Sequence, residues 1–153
     1  MNYSAAPQAY KESAVLTATP ERLVVMLYDG AIAAISRAIT ALEARDIAKK
    51  CAHLERALAI ICQLEGSLDY EEGGGVAQTL KQFYVHARGT ALRANIQNSK
   101  ELLASLLQQF STVREAWAGA ERAASSSSSR VPNGGSPRER SHVSDSSSLH
   151  LKA

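Results

Sequence analysis

Cysteine, proline and aromatic residues are scarce in this 153-residue chain: two, four and 5% of positions. Cys51 and Cys62 are eleven residues apart. On one helix that spacing separates them by about 16 Å, too far for a disulfide. They read as small buried apolar residues in a reducing compartment. Few prolines and few β-branched runs argue against a sheet. No basic segment followed by an apolar run opens the chain, so no signal peptide is expected. No apolar stretch approaches the ~18 residues of a membrane span. The expectation is therefore a cytoplasmic protein with no membrane insertion. Charge of one sign is missing too. The net charge is +2, and residues 1–124 balance 13 Lys and Arg against 13 Asp and Glu. A neutral body is a poor electrostatic partner for nucleic acid or anionic lipid.

The chain is rich instead in alanine, leucine and helical periodicity. Thr19 is placed to be an N-cap, accepting from a free amide of a first helical turn. Pro20 falls at the first helical position, where its missing N–H costs nothing. Glu21 puts negative charge at the positive end of the dipole. Leu23, Leu27, Ala31, Ala34, Ala38 and Leu42 then recur at helical spacing. A second band, Val24, Tyr28, Ile32, Ile35 and Ile39, runs beside them. The combined apolar face is roughly 180–200° wide, well beyond the ~100° of a surface helix. Such a helix either lies centrally or serves a partner as well.

The first helix is expected over Pro20–Ala44, with Arg45 and Asp46 as a turn and Asp46 as the next cap. The second runs to about Leu68 with Ile47, Cys51, Leu54, Leu58, Ile61 and Leu68 on one face. Asp69 to Gly75 reads as a loop, because three successive glycines oppose helix. The third spans about Val76–Gln97 with a core face of Val76, Leu80, Phe83, Tyr84, Ala87, Ala91 and Ala94. Asn98 and Glu101 resemble a capping box. The fourth spans about Ser99–Ala123, with Leu102, Leu103, Leu106, Leu107, Phe110, Val113 and Trp117 in one stripe. Short connections imply an all-α, antiparallel up-down four-helix bundle. Residues 1–16 form an N-terminal arm, residues 17–124 the bundle, and residues 125–153 a Ser-rich tail read as disordered.

Catalytic patterns are missing. Di-iron bundles need inward Glu-x-x-His pairs, but Lys50 precedes His53 and Phe83 precedes His86 at that spacing. No Cys/His cluster has zinc spacing. The glycine triplet lacks the Lys-Ser/Thr of a phosphate loop. No cofactor, metal site or enzymatic activity is expected. His86-Ala87-Arg88-Gly89 is the one alternative, a histidine phosphotransfer module using His86. Yet Arg88 stands about 200° round the helix from His86, so the two do not face one phosphate easily.

Surplus apolar surface is the more informative signal. Val85, Leu92 and Ile96 lie opposite the core stripe of the third helix, and Ile60 lies off that of the second. With Tyr28, Ile32, Ile35 and Ile39 of the first helix, and Tyr10 of the arm, they form the expected partner-binding set. Seams of this kind suit a groove that receives a partner helix. A wide core, a short fifth helix from the N-terminal arm and a self-associating homodimer are the other readings.

The motifs carry a resemblance. Tyr10, Val15-Leu16-Thr17-Ala18-Thr19-Pro20, Leu23-Val24 and Met26-Leu27-Tyr28-Asp29-Gly30 resemble the opening of the bacterial flagellar secretion chaperone family. Ser67-Leu68-Asp69 followed by Gly73-Gly74 extends the likeness, as do Leu80, Tyr84, Asn95 and Val113-Arg114-Glu115-Ala116-Trp117. It covers about residues 10–120. The resemblance implies a non-catalytic helical bundle in the cytoplasm. It implies binding of the C-terminal segment of newly made flagellin, protection against premature polymerisation, and presentation of the subunit to the flagellar export gate. It also implies an N-terminal arm that covers part of the client site. A client that folds as it binds gains apolar burial, and its ordering cost keeps the complex releasable.

Overall fold

Ala18 to Ser129 is the part of the chain described by the computed structural model. The expected arm with Tyr10, and the tail beyond Ser129, lie outside the described residues. Four helices follow in order: α1 (Pro20–Glu43), α2 (Ile47–Gly66), α3 (Tyr70–Gln97) and α4 (Lys100–Ser129). There are no strands among the described residues. The chain divides between Arg122 and Ala123 into two compact units. The first holds the bundle. Of the second, Ala123–Ser129 is described and is helical.

The start of α1 is as the sequence dictates. The Arg22 N–H donates to Thr19 Oγ1 at 3.1 Å, and Pro20 opens the helix. Arg45, at a positive φ of 59°, makes the turn into α2. The Asp46 side chain accepts from the Lys49 N–H at 3.1 Å.

Three boundaries differ from expectation. Helix begins at Tyr70 rather than Val76, because the Asp69 carboxylate takes the N–H groups of Glu71 and Glu72 at 3.0 and 3.1 Å. The glycine break shrinks to a kink at Gly74, whose φ of 48° and ψ of −122° suit a residue without Cβ. Asn98 does not cap α4. It closes α3 in the left-handed conformation, φ 50°, and Ser99 is the cap, its Oγ accepting from the Leu102 N–H at 3.2 Å. Finally, α4 continues through Ser125–Ser129, where the sequence suggested disorder to begin.

The helices form an up-down bundle. Ion pairs report the α1/α4 register: Glu43 with Lys100, Asp29 with Arg114, Arg22 with Glu121. Stepping back fourteen and then seven residues on α1 matches equal forward steps on α4. That is antiparallel pairing at heptad spacing, the packing of coiled-coil-like bundles. Exposed pairs of this kind contribute little stability, but they mark the alignment.

Inside, Val25, Tyr28, Ala31, Ala34, Ile35, Ala38 and Ala41 bury one face of α1. Small residues there allow α2 to approach closely. A Cβ added to Gly30 would meet Ile60 Cδ1 at 3.2 Å. From α2 come Leu54, Ala57, Ile61 and Leu64, from α3 Tyr84, Ala87, Ala91 and Ala94, and from α4 Leu103, Leu106 and Phe110. Leu102, Leu107, Val113 and Trp117 pack against this core half-buried.

The expected buried faces need correction at four positions. Ile47, at the first turn of α2, is 45% exposed. The buried side of α2 centres near Leu54 and Ile61, which turns Cys62 about 100° away and into solvent. Cys51 is half-buried, its Sγ at 3.4 Å from Asn95 Oδ1. Val76 is 66% exposed. It borders a hollow at the end of the bundle, and Ala77 is buried instead.

One buried charge was not legible as such. Lys50 is 1% exposed. Its ammonium donates to the Asn95 carbonyl at 2.9 Å and to Asn98 Oδ1 at 2.5 Å. It sits at the negative end of the α3 dipole, where a cation is favoured, and satisfies a carbonyl that the helix end leaves open.

Replacing Leu106 by Ala should cost about 2–5 kcal/mol, whereas Val76→Ala should change stability by about 0.5 kcal/mol or less. Ser99→Ala should cost about 0.5–2 kcal/mol through loss of the cap. Urea denaturation midpoints of the three variants check all three values.

Candidate partner-binding surface

The interior of the bundle fixes what faces outward. Tyr28 on α1 and Tyr84 on α3 are fully buried, and their hydroxyls share a hydrogen bond of 2.8 Å across the core. Tyr28 also meets the Phe110 ring at 5.4 Å, and Phe83 meets both Tyr84 and Phe110 at 5.6 and 5.2 Å. Burial holds the Tyr28 hydroxyl protonated far above the usual tyrosine range, reinforced by Tyr84 and opposed by the Trp117 indole. Burial raises Tyr84 as well, and its bond to Tyr28 opposes the rise. The pair is therefore a neutral structural contact.

With Tyr84, Ala87, Ala91 and Ala94 buried, the side of α3 turned away from this set points out. Val85, Leu92 and Ile96 are 45, 50 and 81% exposed. At about 100° per residue they fall within roughly 40° of one another. Gly89 lies on the same side, and an added Cβ there would meet only Arg93 Nη1, at 3.6 Å. The result is an open apolar stripe along some three turns of helix. Contiguous exposure of this kind usually marks an interaction site.

The other expected residues are placed differently. Tyr28 and Ile35 are core residues and offer no surface. Ile32, Ile39 and Ile60 are half-buried and packed against the core. The wide apolar face of α1 thus goes mainly to a central position in the bundle. Tyr10 is outside the described residues.

Two adjoining hollows were not anticipated. One, of about 420 Å³, lies where the bundle ends, between Val24, Leu68, Val76, Leu80 and Trp117, with Glu21 and Glu72 at its edge. The other, of about 560 Å³, lies between the first turns of α1 and the end of α2, lined by Leu23, Met26, Leu27 and Gln63. Val24 and Ser67 line both. The sequence signal for them was slight: Leu23, Val24 and Leu27 belong to the two apolar bands at the start of α1.

Catalytic geometry is not assembled at His86. The residue is exposed, and Arg88 turns to the other side of α3 and pairs with Glu65 of α2. Among the described residues no three of His, Cys, Asp or Glu cluster as a metal site. α1 is long and apolar enough to cross a membrane by length and composition, contrary to the sequence reading. Its apolar side is spent on the bundle core.

What this surface can do chemically is bind by apolar burial. The family model described as flagellar protein FliS matches residues 2–124. The chain belongs to the FliS family. The flagellar secretion chaperone FliS of Salmonella typhimurium is 37% identical over 72% of this chain and 82% of its own length. The Campylobacter jejuni protein of that name is 30% identical over 76% and 91%. The Bacillus subtilis one is 32% identical over 71% and 80%. FliS proteins are secretion chaperones of the flagellum, not enzymes, and the family implies a flagellar protein as partner.

Replacing Tyr28 by Phe should cost about 1–3 kcal/mol, since it leaves the buried Tyr84 hydroxyl unpaired, and Tyr84→Phe should cost less, since the Trp117 indole still meets the Tyr28 hydroxyl. The double Phe variant should lose less than the two singles added together, as a double-mutant cycle measures. A raised native pKa also means that this stability is present below about pH 10 and is lost as pH rises above it. The double variant should show a smaller alkaline loss in the same titration.

Proposed function

We propose that this FliS-family protein is a cytoplasmic export chaperone that binds the C-terminal segment of flagellin. It keeps the subunit from polymerising early and helps present it to the flagellar export gate. The exposed stripe Val85, Leu92 and Ile96, in a chain of this family, is the observation that carries the reading. An amphipathic client helix laid along it removes apolar surface from water at about 25 cal/mol per Å². The client must order as it binds, so only part of that gain appears as affinity. The complex stays reversible, as a protein that must release its client requires. Ile32, Ile39 and Ile60, half-buried, and the hollows beside Leu23 and Leu27 offer further apolar contact for a client that wraps the bundle. A homodimer through the stripe is the competing reading, and mass measurement across concentration distinguishes it.

Leu92→Asp with Ile96→Asp should leave the melting temperature near wild type, because both side chains are exposed. It should weaken binding of a flagellin C-terminal peptide by about 3 kcal/mol or more, since two carboxylates would have to be desolvated without partners. Leu106→Asp is the core control and should unfold the protein. Circular-dichroism melting and calorimetric titration provide the two readouts. Unchanged titration would move the client site to the α1 band at Ile32 and Ile39.

A further inference from the structure

We infer that the helix received by the outer face of α3 carries acidic residues on both flanks of its apolar stripe. This rests on the reading that the face docks a helix, and it adds the charge of the occupant. From Val76 to Gln97 α3 has no Asp or Glu, while it carries Lys81, Arg88 and Arg93, with His86 among them. The helix geometry sets these on both sides of the stripe. Lys81 and Arg88 fall about 40–60° to one side of Val85, and Arg93 and His86 about 80–100° to the other.

The neighbours do not neutralise both flanks. Arg88 is engaged by Glu65 of α2. Among the described residues, Lys81 and Arg93 pair with no carboxylate, and Arg93 only touches Thr90 Oγ1, at 3.2 Å. Both are exposed. An apolar seam with an unpaired cation on each flank, Lys81 on one and Arg93 on the other, discriminates by charge. A helix with Glu or Asp beside its Leu stripe gains attraction on each flank, and a Lys-flanked helix of equal hydrophobicity meets repulsion. The body as a whole is neutral, so the preference belongs to this face rather than to net charge.

The test uses the full chain and two synthetic helical peptides with an identical Leu/Ala stripe, one flanked by Glu and one by Lys. Fluorescence anisotropy at about 50 mM NaCl should show the Glu peptide binding about tenfold tighter or more, and about 500 mM NaCl should shrink the gap. Lys81→Glu with Arg93→Glu should reverse the order. If that pair unfolds the protein, Lys81→Gln with Arg93→Gln should still erase most of the preference. Leu92→Asp with Ile96→Asp should remove binding of the Glu peptide. Failure of the Glu peptide to bind, equal binding of the two peptides, or a preference untouched by the Lys81 and Arg93 variants would each overturn the inference. So would a dimer of the free protein that Leu92→Asp with Ile96→Asp disperses, since a second copy would then own the face. A flagellin C-terminal peptide is titrated in parallel. Its binding lost with Leu92 and Ile96 but unmoved by the charge variants overturns the charge inference and leaves the proposed function intact. Binding of the Glu peptide without any binding of flagellin does the reverse.

Discussion

Two hydroxyls in an apolar interior constrain this bundle more than any other contact. Neither Tyr28 nor Tyr84 reaches solvent, and a buried hydroxyl without a partner is costly. Each finds its partner in the other, at 2.8 Å and from helices 56 residues apart in sequence. Apolar packing tolerates sliding by a turn, because leucines and alanines are interchangeable neighbours. A hydrogen bond between two rigid aromatic side chains does not. The pair therefore fixes the height and rotation of α3 against α1. Phe83 and Phe110 extend the constraint to α4 through ring contacts near 5 Å. The outward stripe on α3 follows from this rotation: with Tyr84 held inside, Val85, Leu92 and Ile96 have nowhere to go but out.

The other helix, α2, is held by different means. Its approach to α1 depends on small residues, with Gly30 beneath Ile60 and a file of alanines from Ala31 to Ala41. Its junction with α3 depends on Lys50, which reaches the C-terminal end of α3 at Asn95 and Asn98. A buried cation is ordinarily a liability. Here the helix dipole, a backbone carbonyl and a side-chain amide together replace its water. Asn98 serves twice: its left-handed backbone ends α3, and its side chain takes the lysine.

Most of the architecture was legible in the sequence, since it rests on periodicity and capping chemistry. Thr19, Pro20 and Asp46 each act as local rules require, and the α4 stripe through Leu103, Leu106 and Phe110 lies inside as written. The misreadings share a cause: local rules cannot see what a neighbour does. Three glycines looked like a loop, but the Asp69 cap stabilises a helical turn before them and only Gly74 leaves helical geometry. Asn98 and Ser99 are both competent caps, but Asn98 ends α3 in the left-handed conformation and its side chain accepts from Lys50, 48 residues away. Val76 has the phase of a core residue, yet the bundle ends in a hollow beside it. On α1 the width of the apolar face announced either a central helix or a docking face. Tyr28 and Ile35 resolve this for the core, and no property of those residues alone could have done so. The outer stripe of α3 was legible because it contradicts its own helix: apolar residues recur at helical spacing on the side away from the core.

The balance of charge was harder to read because totals conceal position. A body with equal numbers of acids and bases invites the conclusion that electrostatics has no role in recognition. Charges act over about a Debye length, however, roughly 8 Å at physiological salt, so a face is sensed before an average is. Between Val76 and Gln97 the cations share their stretch with no acid; the acids of α3, Glu71 and Glu72, stand in its first turn before the Gly74 kink, and the others lie on other helices. Glu65 answers Arg88, but Asp29, Glu43 and Glu121 are engaged along the α1/α4 seam. Each of those acids takes a base of its own seam, so the basic character of α3 from Val76 to Gln97 is set by its sequence and not by the packing. Neutrality of the whole therefore coexists with a basic face, because the first is a sum over the chain and the second depends on which residues one helix turns outward.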